Sequence, residues 1–153
     1  MQILLFIHSL IRWFVLISII YSLFRAYRGL KNQALFSKTD NAVRHWTATI
    51  AHIQLAVGIN LYFKSPTVQY FLSNFKEASK NLEFTFFGLI HIFLMSIAII
   101  VLTIGSALAK RRKTDEEKFK TILVWFSLAL FIIFIAIPWP FSPFAHRVFF
   151  RHF

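Results

Sequence analysis

Residues 84–108 read FTFFGLIHIFLMSIAIIVLTIGSAL, which is 25 residues without a single Lys, Arg, Asp or Glu. At about 1.5 Å per residue such a helix covers roughly 37 Å, enough to cross a hydrocarbon core of ~30 Å with modest tilt. The stretch is bounded by Glu83 and, after Ala109, by Lys110-Arg111-Arg112-Lys113. It reads as a membrane span, and its neighbours repeat the pattern.

Working outward from it, three further apolar blocks stand between charged segments. They run from about Ile3 to Phe24, from about Ala42 (or Thr47) to Phe63, and from about Ile122 to Trp139. Hydrophobic residues make up 58% of the 153-residue chain, with 20 Phe and only 4 Gly and 4 Pro. A soluble domain of this size is about 45–50% apolar. The expected fold is therefore an all-α membrane protein, a four-transmembrane-helix bundle forming one membrane domain over residues 1–153. The first block lacks a basic n-region and a small-residue cleavage site, so it is expected to span the membrane rather than be removed.

Charge sets the expected orientation. The first connection carries Arg25, Arg28, Lys31, Lys38 and Arg44, and the third carries Lys110, Arg111, Arg112, Lys113, Lys118 and Lys120, eleven in all. The other side holds five: Lys64, Lys76, Lys80, Arg147 and Arg151. By the positive-inside rule both termini lie outside and the two basic connections lie in the cytoplasm. The net charge of +11 is thus assigned to topology and anionic lipid headgroups rather than to nucleic acid. Asp115-Glu116-Glu117 is expected to open the fourth helix, where acidic groups suit the helix dipole.

Two segments outside the spans carry their own expectations. Ser65-Pro66 is followed by the apolar Val68–Phe75, read as a short helix in the outer interface. Pro138-Trp139-Pro140-Phe141 is expected to stop the last helix at that interface, and residues 140–153 form an aromatic, basic tail along the headgroups. The absence of cysteine excludes disulfides, thiolate metal sites and covalently attached c-type haem.

Ionisable groups within a membrane are costly and usually face a cavity, a ligand or the bundle interior. The candidates are His8 and Arg12 in span one, His52, Gln54 and Asn60 in span two, and His91 in span three. His45 lies at the cytoplasmic mouth; His146 and His152 lie in the tail. Counting from the outer edge puts His8 ~9 Å deep and His91 ~10 Å deep, with His52 near the midplane. Two imidazoles at one level on different helices suit the axial positions of a haem iron; hydrogen bonding between helices is the alternative. His8 and His91 are the expected axial pair, with His52 as substitute or as a group near a quinone. Met95, one turn after His91, is either a further axial candidate or simple packing.

Arg12 lies one turn after His8 on the same helical face. The spans contain no Asp or Glu, so its expected partner is a haem propionate, a quinone oxygen or a lipid phosphate, unless it snorkels to the headgroups or to Glu83. On span two, His45, Thr49, His52 and Asn60 form one polar stripe, expected to face the bundle axis. Gly58, Gly88 and Gly105 let helices approach closely or leave room for a flat ring.

Several runs carry a resemblance: His8-Ser9-Leu10-Ile11-Arg12-Trp13, His52-Ile53-Gln54-Leu55 with Gly58 and Leu61-Tyr62-Phe63, Ser65-Pro66-Thr67-Val68-Gln69, Lys118-Phe119-Lys120-Thr121-Ile122, and Ile137-Pro138-Trp139-Pro140. Over residues 1–141 the chain resembles a family of small bacterial four-span membrane proteins commonly labelled cytochrome b-like. That resemblance implies the bacterial inner membrane, a non-covalent haem b and electron transfer, with quinol as a candidate partner. The competing expectation is a cofactor-free accessory or assembly subunit, in a larger membrane complex or a homo-oligomer. A transporter is the weaker third reading, since no membrane acid is present to bind and release a cation.

Overall fold

The computed structural model describes residues 1–145, and among them every regular element is helical. Four long helices dominate: α1 (Gln2–Lys31), α2 (Lys38–Lys64), α6 (His91–Arg111) and α7 (Asp115–Ala136). Three short ones, α3 (Pro66–Ser73), α4 (Phe75–Ala78) and α5 (Leu82–Thr85), lie between α2 and α6. A π-helical turn, Phe86–Ile90, joins α5 to α6 without a break.

The long helices pack as a closed ring in the order α1, α2, α6, α7 and back to α1. In this ring α1 and α6 face each other diagonally. Short connections, residues 32–37 and 112–114, make the neighbours they join antiparallel. The core between the helices is built from Ile19, Ala51, Ala98, Leu102, Phe126 and Ala129, with alanines letting the backbones close. At Gly105 a Cβ would run into the Cβ of Trp125, so α6 and α7 touch here only because no side chain intervenes.

The boundaries follow local chemistry. Ser37 caps α2: its hydroxyl accepts from the Asp40 N–H (3.2 Å) while the Asp40 carboxylate accepts from the Ser37 N–H (2.9 Å). Thr114 and Glu117 form the same box at the start of α7, and α7 opens at the acidic triplet as the charge pattern predicts. The C-terminal end of α7 differs from the sequence expectation. The helix stops at Ala136, not Trp139, because the residue before Pro138 is driven out of helical geometry (Ile137 φ −74°, ψ 129°). Trp139 then folds back and is buried, its Nε1–H donating to the Phe134 carbonyl at 2.8 Å and its ring meeting Trp13 at 6.1 Å. It is a packing residue of the bundle as well as a stop. The tail beyond Ala145 lies outside the described residues.

At the basic end, Asp40 is almost fully buried and receives the Arg25 Nε–H at 2.7 Å. Burial opposes its ionisation, but the Arg25 guanidinium and the hydroxyl and N–H of Ser37 outweigh burial and hold the carboxyl below its ordinary value. Arg44, counted in sequence as a loop charge, is buried instead. Its guanidinium donates to the Ser106 carbonyl (2.9 Å) and to the Asn41 amide oxygen (2.9 Å), tying α2 to α6.

Three helices are long and apolar enough to cross a membrane: Gln2–Lys31, Leu82–Arg111 and Asp115–Ala136. At 27 residues α2 has the length but is diluted by polar residues. The stripe His45, Thr49, His52 and Asn60 does not face the bundle axis. His45, His52 and Asn60 are exposed and Thr49 half-buried, while Arg44, Thr47, Ala48, Ala51 and Leu61 take the inner face. Small residues win the inner face because α1 comes close enough for the Thr47 hydroxyl to donate to the Ser18 carbonyl (3.2 Å).

Candidate functional site

At the end of the bundle that carries Met1, the four long helices diverge around a cavity of about 380 Å³, roofed by α3. This lies within the ~300–1,000 Å³ typical of small-molecule and cofactor sites. The wall is mostly aliphatic, and the polar groups that interrupt it include His8, Arg12, Gln54, Tyr62 and His91, with Ser9, Ser65 and Thr67 besides.

His8 from α1 and His91 from α6 approach across the ring diagonal, their centroids 6.5 Å apart and their planes at 70°. The depth count from sequence places them at one level, and the structure brings them together. His91 is oriented from behind. Its Nδ1–H donates to the Ala136 carbonyl at 2.8 Å, leaving Nε2 as the nitrogen with a free lone pair. The π-turn directly precedes it. Its Gly88 carbonyl accepts the Tyr62 hydroxyl at 2.8 Å, a bridge from α2 to the widened turn.

His8 is set by α2. The Gln54 amide N–H donates to the His8 carbonyl (3.0 Å) and, more weakly, to the His8 Nε2 (3.4 Å). That assigns the ring proton to Nδ1, which is buried with no hydrogen-bond partner, as is the Gln54 Oε1. Orphaned buried polar atoms are rare and mark places where a further group is expected. Gly58 makes the space: a Cβ there would sit 3.2 Å from the His8 Cε1. Arg12 lies deeper in the same wall, its guanidinium 5.4 Å from the Trp13 ring centre and 5.9 Å from that of Trp139. Met95 also lines the cavity, one turn below His91.

His52 does not join this group. It is exposed at the α2–α6 edge, where its Nε2–H donates to the Thr103 hydroxyl (2.9 Å), whose own proton goes to the Ile99 carbonyl. The candidate set that geometry assembles is therefore His8, Arg12 and His91, with Gln54 and Tyr62 as the residues that position them. Tyr62 stands in the sequence only within the run Leu61-Tyr62-Phe63 and is not among the expected site residues, although Gln54, Gly58, Leu61 and Tyr62 recur at helical spacing along one face.

Among the described residues no three of His, Cys, Asp or Glu converge. A three- or four-ligand protein metal site is therefore not formed by them. Two imidazoles suit an ion that arrives already held in a macrocycle, and the paired rings, the bare His91 Nε2 and the His8 Nε2, whose lone pair Gln54 engages only weakly at 3.4 Å, fit haem on donor chemistry. The chain matches no known protein-family model, no curated protein and no solved structure.

Proposed function

We propose that this chain is a four-span protein of a bacterial inner membrane, both termini outside, whose cavity binds one haem b for electron transfer. His8 and His91 hold the iron, and Arg12 compensates a propionate. The observation that carries this reading is the His8–His91 pair at 6.5 Å across a cavity, with His91 locked by the Ala136 carbonyl. The loop charge asymmetry supports the orientation, and the resemblance noted above supports the cofactor and the compartment. As to α2, its two neighbours in the ring, α1 and α6, belong to the apolar helices, which supports its being the fourth span.

In this reading His8 and His91 would hold the group through their imidazoles, the aliphatic wall would exclude water and Arg12 would balance charge. Haem supplies the one-electron chemistry when bound. A single site at one level of the bilayer does not span it, so a donor or acceptor partner, with quinol as one candidate, completes the path. The test is a reduced-minus-oxidised visible spectrum of detergent-purified protein from haem-replete cells. A sharp α-band that vanishes in His8→Ala and His91→Ala but persists in His52→Ala is the expected result. A colourless, folded protein sinks the proposal.

A further inference from the structure

The basic end of the bundle holds a second cavity. It is a cleft of about 250 Å³ where the start of α2 meets the end of α6 and the first turns of α7. Phe36 and Ala109 give it an apolar wall, and its polar lining is Ser37, Lys38, Asn41, Lys110 and Lys118. Three ammonium groups from three helices thus line one space, and no carboxylate lines it with them.

The carboxylates at this end are already engaged. Asp40 takes the Arg25 guanidinium, Asp115 the Lys118 ammonium (3.0 Å) and Glu116 the Lys120 ammonium, while Glu117 caps α7 with Thr114. Among the described residues Lys38 and Lys110 pair with no acid. A further charge lies behind the wall. The buried Arg44 guanidinium is held by neutral acceptors: the carbonyl and hydroxyl of Ser106 and the Asn41 Oδ1. A buried cation without an anion is costly, and this one is a single side chain away from the cleft. With its oxygen given to Arg44, Asn41 keeps its amide N–H groups for the cleft it lines.

We infer that this cleft binds the phosphate of an anionic lipid, drawn from the leaflet at the basic end of the bundle. Phosphate follows from the donor set, since ammonium groups and an amide N–H answer its oxygens with charge-assisted hydrogen bonds. Lys118 is offset by Asp115, and the charges of Lys38 and Lys110 are left for the ligand. A lipid source follows from the level. Lys110 is the first charge after the apolar run 84–109, and Lys118 stands one turn before Ile122, where the last apolar block begins. That is the level of headgroup phosphates, where basic pockets between helices take acidic headgroups. The Phe36 and Ala109 wall gives the glycerol beside the phosphate an apolar surface. The inference rests on α6 and α7 crossing the membrane and is independent of the haem.

The full chain in mild detergent is mixed with phosphatidylglycerol or phosphatidylcholine, and retained lipid is counted by native mass spectrometry. Retention of phosphatidylglycerol several-fold above phosphatidylcholine is expected. The preference should disappear in Lys38→Gln/Lys110→Gln and persist in Arg111→Gln/Lys113→Gln, which removes the same charge at the same end but outside the cleft lining. All four side chains are exposed, so both variants should keep the wild-type circular dichroism. Equal loss in the two variants assigns the preference to diffuse surface charge and overturns the site. No preference in the wild type, or an undiminished one in the cleft variant, also overturns it. Inorganic phosphate that displaces the lipid from the wild type, and binds with the same dependence on Lys38 and Lys110, makes the ligand a free phosphate and overturns the lipid assignment. Release of the chain from native membranes by alkaline carbonate instead removes the span reading on which the inference rests, whatever the lipid count.

Discussion

The imidazoles of His8 and His91 stand edge to face across the bundle, 6.5 Å between ring centres, although 83 positions separate them in the chain and their helices are not neighbours in the ring. Each is placed by a different helix: His91 by the carbonyl of Ala136 on α7, His8 by the amide of Gln54 on α2. The site therefore depends on all four long helices holding register at one end.

Gly58 is the most direct test of the cavity. A Cβ at this position comes within 3.2 Å of the His8 Cε1, so Gly58→Ala displaces the ring by a few tenths of an ångström and Gly58→Leu fills the space it needs. Gly58→Leu is expected to abolish the visible haem band while leaving helical circular dichroism intact. A wild-type spectrum from Gly58→Leu would show that the cavity is not the binding site.

Tyr62→Phe removes the hydroxyl that satisfies the Gly88 carbonyl. A lost hydrogen bond of this kind costs about 1 kcal/mol, with more if the carbonyl stays buried and unpaired. The larger effect is expected on the site, because the π-turn that it braces ends at His91. Ligand affinity should fall further than thermal stability does, a contrast read by titration and by melting in mild detergent.

Gly105→Ala drives a methyl group into the Cβ of Trp125, where α6 packs directly on α7. Overpacking of this type costs about 1–3 kcal/mol. The expected outcome is a lowered melting temperature in detergent. An unchanged melt would mean that the two helices separate without penalty, contrary to the packing described.

Asp40 links α1 to α2 through Arg25 and caps α2 with Ser37. Its carboxyl is held below the ordinary value, so the charged form is the one the fold favours. The sign follows: this contribution is complete above the unfolded carboxyl value of about 3.9 and is lost as pH falls through the depressed folded value. Asp40→Asn is expected to lower stability at neutral pH by about 1–3 kcal/mol and to flatten the acid limb of a melting-temperature profile. An acid limb as steep as that of the wild type would assign the dependence to other carboxylates.

Much of this architecture was legible from hydropathy. The all-helical fold, the apolar stretches now seen as α1, α6 and α7, the short helix α3 and the acidic opening of α7 all follow from runs of residues and local capping chemistry. The shared level of His8 and His91 follows from counting rise per residue, since depth depends only on distance along one helix. What depends on rotation about the helix axis was not legible. The α2 stripe was expected inside, but its outward placement is decided by Thr47, Ala48 and Ala51, which pack more closely than histidine can. Trp139 shows a second limit: the proline that ends α7 is plain in the sequence, whereas the return of the indole onto Trp13 is a tertiary event.

The widened turn at Phe86–Ile90 has a mechanical meaning. It acts as a phase joint: the residues before it and the residues after it belong to two helical lattices offset by one position. Removing one residue there would restore an ordinary helix and rotate the preceding segment by about 100° relative to α6. His91 would keep its place against Ala136, while Phe86 would leave its stacked position on Phe144 and α5 would swing away from α3. The roof of the cavity is thus keyed to residue count, and a single deletion in these five positions would open it by carrying away the Phe86 and Phe87 rings that lie against His91.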